Sequence, residues 1–335
     1  MFKQALVKTF NFIKKNAILL ILFVIIFIIS FVKLPYSIMM PGGSTNLNDR
    51  YVIKNGYKSK GSMNLAYVSE VDANILMALI AKINPYWDIY KNKDARLPKE
   101  NDSDSLKRMK LSLDESVDTA KIVALTKAGY NIDLSNTKVL ISYVMDKNKN
   151  NLKVNDEILA INGQKINSVN QIHEILDTKK VGDILDVLVL RNKKEVKGYA
   201  KIFKYQNKLV MGVSTVIKYD YESPVSIKYK DNKKEYGGSG GLMNTLAIYN
   251  QLIKEDLTKG KKIIGTGTID IDGNIGEIDG VKYKLIGASL KKCDIFMIPE
   301  ANYQEALKVK DKYHLNIKLV SVKNIDDAIN YLKGL

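Results

Sequence analysis

Apolar and polar positions alternate with a different period in successive parts of the chain. Residues 17–32 carry no charge and, as a helix, cover about 24 Å. With Leu34 added and Lys33 snorkelling, residues 17–34 are predicted to form a transmembrane helix behind a cytoplasmic segment, residues 1–16. Residues 51–69 read as short strands broken at Gly56 and Gly61. Ile75, Leu76, Leu79, Ile80 and Ile83 then fall at helical spacing before Pro85. Residues 91–110 are polar, contain Pro98 and predict an exposed loop, and residues 114–127 predict a helix that stops near Gly129.

From residue 139 the period shortens. Residues 139–144, 182–191 and 195–203 read as strands, Asn162-Gly163 marks a tight turn, and residues 167–177 form a capped helix. Beyond Leu209, strands at 223–230, 263–271, 295–298 and 317–320 alternate with helices at 241–253, at 281–290 and after each of the last two strands. The fold class is α/β (α+β).

Charge narrows the partners. The net charge is +16, yet the only arginines are Arg50, Arg96, Arg108 and Arg191, and the lysines are scattered among asparagines. No basic stripe forms, so no nucleic acid is expected; a solvated surface attracted to anionic lipid fits better. Lys3, Lys8, Lys14 and Lys15 precede the apolar run without an acidic residue, whereas Lys33 and Arg50 follow it with Asp49. The positive-inside rule then keeps the N-terminus cytoplasmic and the C-terminal domains extracellular. No small-residue cleavage pattern follows the run, which favours a single-pass anchor in the cell membrane. The single Cys293 excludes an internal disulfide and a cysteine-based metal site, and no metal or other cofactor is expected.

The candidate chemistry lies at Ser239, in Tyr-Gly-Gly-Ser-Gly-Gly-Leu over residues 236–242, directly ahead of a helical run. A glycine-rich turn at a helix start presents a hydroxyl and offers N–H groups to an oxyanion. Serine needs a base, and His173 and His314 both lie in ordinary amphipathic stretches, so a lysine is the alternative. Lys282, flanked by Ile278, Val281 and Leu285, is the expected base; Lys284, some 200° around the helix, is expected to face solvent. A lysine base must lose about 3 pKa units to work near neutrality, which burial supplies and Asp279 opposes. No phosphate-loop motif is present, so no ATPase is built in.

Two resemblances join these readings. "LKVNDEILAINGQKI", "SVNQIHEIL" and "VGDILDVLVLR" resemble a bacterial protease-type PDZ domain, with Asn155 where glycine is usual and no evident carboxylate-binding loop. The resemblance implies peptide capture by strand addition along Val139, Leu140 and Ile141, with the helix at 169–176 as the other wall. "GGSGGLMNTLAIYNQL" and "GTGTIDIDGNIGEIDGVKYK" resemble the proteolytic domain of the Lon family, nearest its membrane-anchored, PDZ-containing bacterial members; the likeness includes Asp114-Glu115-Ser116. It implies Ser239 as nucleophile, Lys282 as general base 43 residues on, Thr266 as a supporting residue and Gly238 and Gly240 beside the oxyanion site. Gly238 stands in place of a family proline, Gly240 of an alanine and Asp279 of a glycine, and the added glycines loosen the turn.

The domains expected are residues 1–16, the helix at 17–34, a membrane-proximal segment with the first part of the protease domain at 35–130, a PDZ-like domain at 131–207 and the Lon-like domain at 208–335. The function expected is a membrane-tethered, ATP-independent serine endopeptidase that cleaves exported proteins or peptides outside the cytoplasm, selected by the PDZ domain. Membrane lipid is a partner through the N-terminal helix, and a homo-oligomer is compatible. The alternatives are a non-catalytic PDZ scaffold with a degenerate protease domain, and a binder of phosphate ligands at the glycine turn.

Overall fold

A computed structural model describes residues 2–91, 96–232 and 234–335. Its first elements are α1 (Phe2–Lys15), α2 (Ala17–Phe31), β1 (Lys33–Asn46), β2 (Tyr51–Ile53), β3 (Ser62–Asn74), α3 (Ile75–Ile83), β4 (Asp88–Lys91) and α4 (Asp102–Lys127). The middle of the chain holds β5 (Thr137–Val144), β6 (Glu157–Ile161), β7 (Gln164–Lys165), α5 (Val169–Asp177), β8 (Ile184–Arg191), β9 (Lys194–Lys201), β10 (Phe203–Tyr205), β11 (Lys208–Val210) and β12 (Val213–Tyr219). The last part holds β13 (Ile227–Tyr229), α6 (Gly241–Leu252), β14 (Lys262–Gly265), β15 (Thr268–Ile269), β16 (Ile275–Gly276), α7 (Val281–Leu290), β17 (Ile295–Pro299), α8 (Glu300–Lys312), β18 (Lys318–Val322) and α9 (Ile325–Lys333). The chain divides into two compact units, Met1–Pro41 with Val68–Ala95, and Gly42–Tyr67 with Arg96–Leu335.

In the smaller unit, β1 pairs antiparallel with β4, Ile38 opposite Ile89. Ile38, Ala73 and Ala81 are buried among Leu34, Tyr36, Trp87 and Ile89. Asn74 caps α3 by accepting the Met77 N–H at 2.7 Å, and its amide donates to the Ser30 carbonyl at 2.8 Å. The predicted transmembrane helix over 17–34 is corrected here. α2 ends at Phe31 and the chain is extended from Lys33, so the helix covers about 22 Å of the roughly 30 Å that a hydrocarbon core requires. Among the described residues, no helix is long and apolar enough to cross a membrane. None of the α2 side chains is buried.

The larger unit is organised by a parallel sheet in which β14 lies between β3 and β17, with β18 beyond β17. Near-continuous apolar runs such as Ile-Phe-Met-Ile in β17, buried throughout, suit strands covered on both faces. α6 is buried from Gly241 to Asn250 and packs against α4, and their side chains share a core with Met63, Ile263 and Met297. Burial holds the Cys293 thiol up at about 12.

The polar stretch read as a loop is helical from Asp102 onward. Asn101 accepts the Asp104 N–H at 2.8 Å as N-cap, and Asp102 and Asp104 suit the positive helix end. Arg108 clasps Glu100 at 2.8 and 3.0 Å, so charged residues serve structure here rather than marking a loop. Residues 92–95 of that stretch lie outside the described residues.

The middle of the chain forms a sheet ordered β12-β5-β6-β8-β9 over a core of Val139, Ile141, Ile158, Ile172, Leu185 and neighbours. Asn155 adopts φ +76, a left-handed conformation that asparagine tolerates in place of glycine. Arg191 holds the buried Asp156 with two hydrogen bonds, at 2.7 and 2.8 Å.

Candidate active site

Ser239 sits at the end of a turn that only a glycine-rich sequence can make. Gly237 has φ +90, in the region that penalises a side chain, and a Cβ on Gly241 would stand 2.7 Å from the backbone nitrogen of Ile269. α6 begins immediately afterwards with Gly240 as its N-cap residue, which places the N–H groups of residues 239–241 at the positive end of that helix. The Ser239 carbonyl is held from the far side by the Gly267 N–H at 2.9 Å and the Thr266 hydroxyl at 3.0 Å. The half-buried hydroxyl of Ser239 is thus displayed by a turn whose backbone is fixed.

The amine facing that hydroxyl belongs to Lys284. Its Nζ donates to Ser239 Oγ at 3.0 Å and to Thr266 Oγ1 at 3.2 Å. Thr266 is fully buried; its hydroxyl gives its proton to the Ser239 carbonyl and offers a lone pair to Lys284, which fixes the amine against the serine. Lys284 is only 5% exposed. Burial lowers its pKa to about 8, against the opposing pull of the Asp279 carboxylate. About one such lysine in ten is neutral at pH 7, against roughly one in two thousand for a solvated lysine.

The expectation of Lys282 as the facing amine is therefore corrected. Val281, Lys284, Leu285 and Ala288 are the i, i+3, i+4 and i+7 positions of the buried face of α7, against Ile278, Phe296 and Ile298. Lys282, 100° away, is half-buried against the rings of Tyr283 and Tyr313, at 5.3 and 5.8 Å from their centroids. The helical spacing held the signal: Lys284 shares a stripe with Val281 and Ala288. Thr266, Gly238 and Gly240 lie around Ser239.

The proposed peptide-binding residues fare differently. Strand addition needs an unpaired edge, and β5 has none. Val139 lies opposite Ile217 of β12 on one side and Ile158 of β6 on the other, and Leu140 lies between Val216 and Glu157. Ile141 exchanges hydrogen bonds with Asn155 and Asp156 at 2.8 Å, and Val139 and Ile141 are fully buried. Val139, Leu140 and Ile141 are central residues of the sheet; its outermost strands are β12 and β9.

Comparison with known proteins gives two family matches, both within the larger unit. Residues 127–202 match the PDZ domain family, and residues 231–333 match the Lon protease (S16) C-terminal proteolytic domain. An archaeal Lon protease of Halobacterium salinarum is 24% identical over 126 residues, 36% of this chain and 18% of that protein. The Lon protease of Rickettsia typhi is 33% identical over 66 residues, 20% of this chain and 8% of that protein. The chain thus spans less than a fifth of the length of these relatives. Among solved structures, the PDZ domain of the SdrC-like protein of Listeria monocytogenes is 19% identical, covering 26% of this chain and 94% of that one, with a TM-score of 0.21. A segment similar to the PDZ domain family is thus followed by one similar to the Lon protease (S16) C-terminal proteolytic domain, and Ser239, Thr266 and Lys284 all lie within the bounds of the latter match.

Proposed function

We propose that the protein is a serine endopeptidase with a Ser239–Lys284 dyad that works without ATP. The observation that carries this reading is the contact of 3.0 Å between a buried amine and a half-buried alcohol. Neutral Lys284 takes the Ser239 proton as Oγ bonds to the scissile carbonyl carbon. The C–N bond then breaks and Lys284 returns the proton to the departing amine. Water, deprotonated by the same lysine, then bonds to the acyl carbon, the Oγ–C bond breaks, and Lys284 returns that proton to Ser239 Oγ. Thr266 keeps the amine on the serine, and the N–H groups at the start of α6 receive the oxyanion. Purified full chain carrying Ser239→Ala is expected to lose all cleavage of fluorescein-labelled casein while keeping its thermal midpoint. Cleavage at the parent rate would refute the nucleophile.

The same proposal keeps the protein at a membrane, with its domains outside the cytoplasm and exported polypeptides as substrates. Support comes from α2, apolar with no side chain buried, and from α3, whose Leu79, Ile80 and Ile83 are exposed. A helix that apolar in water would gain from entering lipid. The full chain is expected to float with phosphatidylglycerol vesicles, and a chain lacking residues 1–32 to float far less. Equal behaviour would place the membrane contact elsewhere or nowhere. The PDZ domain is proposed to choose an extended segment of substrate.

A further inference from the structure

A loose turn is a poor mount for a nucleophile, since a displacement of about 1 Å can cost on the order of 10²-fold in rate. The two glycines flanking Ser239 leave that turn without stiffness of its own, so something else must hold it. α4 does. The Gly237 N–H donates to the Met109 carbonyl at 2.9 Å, and the Ser116 hydroxyl donates to the Gly238 carbonyl at 2.9 Å. A Cβ on Gly238 would stand 3.2 Å from the Ser112 carbonyl, so the turn lies directly on the helix. Residues 109, 112 and 116 follow one another at spacings of three and four, on one face of α4.

The residue beside Ser116 faces elsewhere. The Glu115 carboxylate accepts the Ile217 N–H of β12 at 3.0 Å. That N–H belongs to the outermost strand of the PDZ-side sheet. Consecutive residues of one helix therefore hold, respectively, an edge strand and the backbone of the nucleophile turn.

We propose that Ser116 is a positioning residue for Ser239, and that Glu115 makes its hold depend on β12. The proposal rests on the Ser239–Lys284 reading. A chain strand or peptide that takes the Ile217 N–H displaces Glu115, and α4 carries the change to Gly238. When the Ser116 bond is lost, the turn relaxes, Ser239 leaves Lys284 and water reaches the amine.

The experiment uses full-length protein in detergent micelles and two readouts. One is the rate of Ser239 labelling by a fluorophosphonate. The other is the NMR titration of the Lys284 side chain, identified by its loss in Lys284→Met, which reports the site whether or not the protein cleaves anything. Ser116→Ala is expected to slow labelling about tenfold or more and to move the Lys284 titration upward from about 8 towards 10.5. Ser116→Thr, which keeps the hydroxyl, restores both. A Ser116→Ala protein that loses thermal stability but labels and titrates like the parent overturns the positioning role. Glu115→Ala is expected to slow labelling when Ser116 is present and to add nothing to Ser116→Ala. Additive effects overturn the link to β12. Parent protein that never labels defeats the hydrolase reading alone, because the Lys284 titration still decides whether Ser116 positions the turn.

Discussion

The inner and outer faces of α7 hold two lysines separated by one residue and about 200° of helix. Lys284 lies at 5% exposure with an alcohol at 3.0 Å, and burial brings its pKa to about 8. Lys282 lies half-buried over two tyrosine rings. Both share the sequence neighbourhood, both follow Asp279, and either fits a serine–lysine dyad on paper. Geometry divides them, because only the inner one is buried against the Ser239 hydroxyl. A lysine becomes a base when its charge is costly, and the apolar stripe of the helix decides where that is.

The sharpest break of this comparison is Lys284→Met, which keeps the length of the side chain and removes the amine. Casein cleavage is expected to fall about 10⁴-fold or more, as when one member of a catalytic set is deleted; activity within tenfold of the parent would return the base role to another group. Next comes Thr266→Val, which removes both the support of the Lys284 amine and the hydroxyl on the Ser239 carbonyl. We expect a loss of about 10²-fold in kcat with KM little changed, and a loss confined to KM would mean that Thr266 contacts substrate instead.

The pH profile sharpens the same contrast. The working form of Lys284 is neutral, so kcat/KM is expected to rise as pH increases and to level off above about 8, gaining about fivefold between pH 7 and pH 8. A profile flat across that interval would contradict a lysine base. Smallest is Lys282→Ala, expected to change cleavage by less than about twofold, because its amine lies over the Tyr283 and Tyr313 rings and not at Ser239.

Legibility from sequence followed the range of the interactions. Ser239 and its helix could be read because a glycine turn and a helix start are local, and Thr266 came with the family pattern. Lys284 was available from the stripe formed with Val281 and Ala288, but pattern spacing from the resemblance pointed two residues short. The start of α4 was hidden because its charged residues are occupied by ion pairs, such as Arg108 with Glu100, that polarity alone cannot distinguish from a loop. The misplaced peptide edge at Val139–Ile141 has a longer-range cause. β12 covers β5, and it comes from residues 213–219, beyond the PDZ match.

Sequence alone determined the α/β class, the likeness of two segments to PDZ and Lon proteolytic domains, and the serine in a glycine turn at a helix start, because period and turn chemistry are local properties. Tertiary structure decided which lysine is shielded, which strand is an edge and what holds the glycine turn. Those three depend on neighbours brought from distant parts of the chain: Thr266 beside Lys284, β12 beside β5 and Ser116 beside Gly238. Burial and hydrogen-bond partnership are properties of such meetings, and no single stretch of sequence contains them.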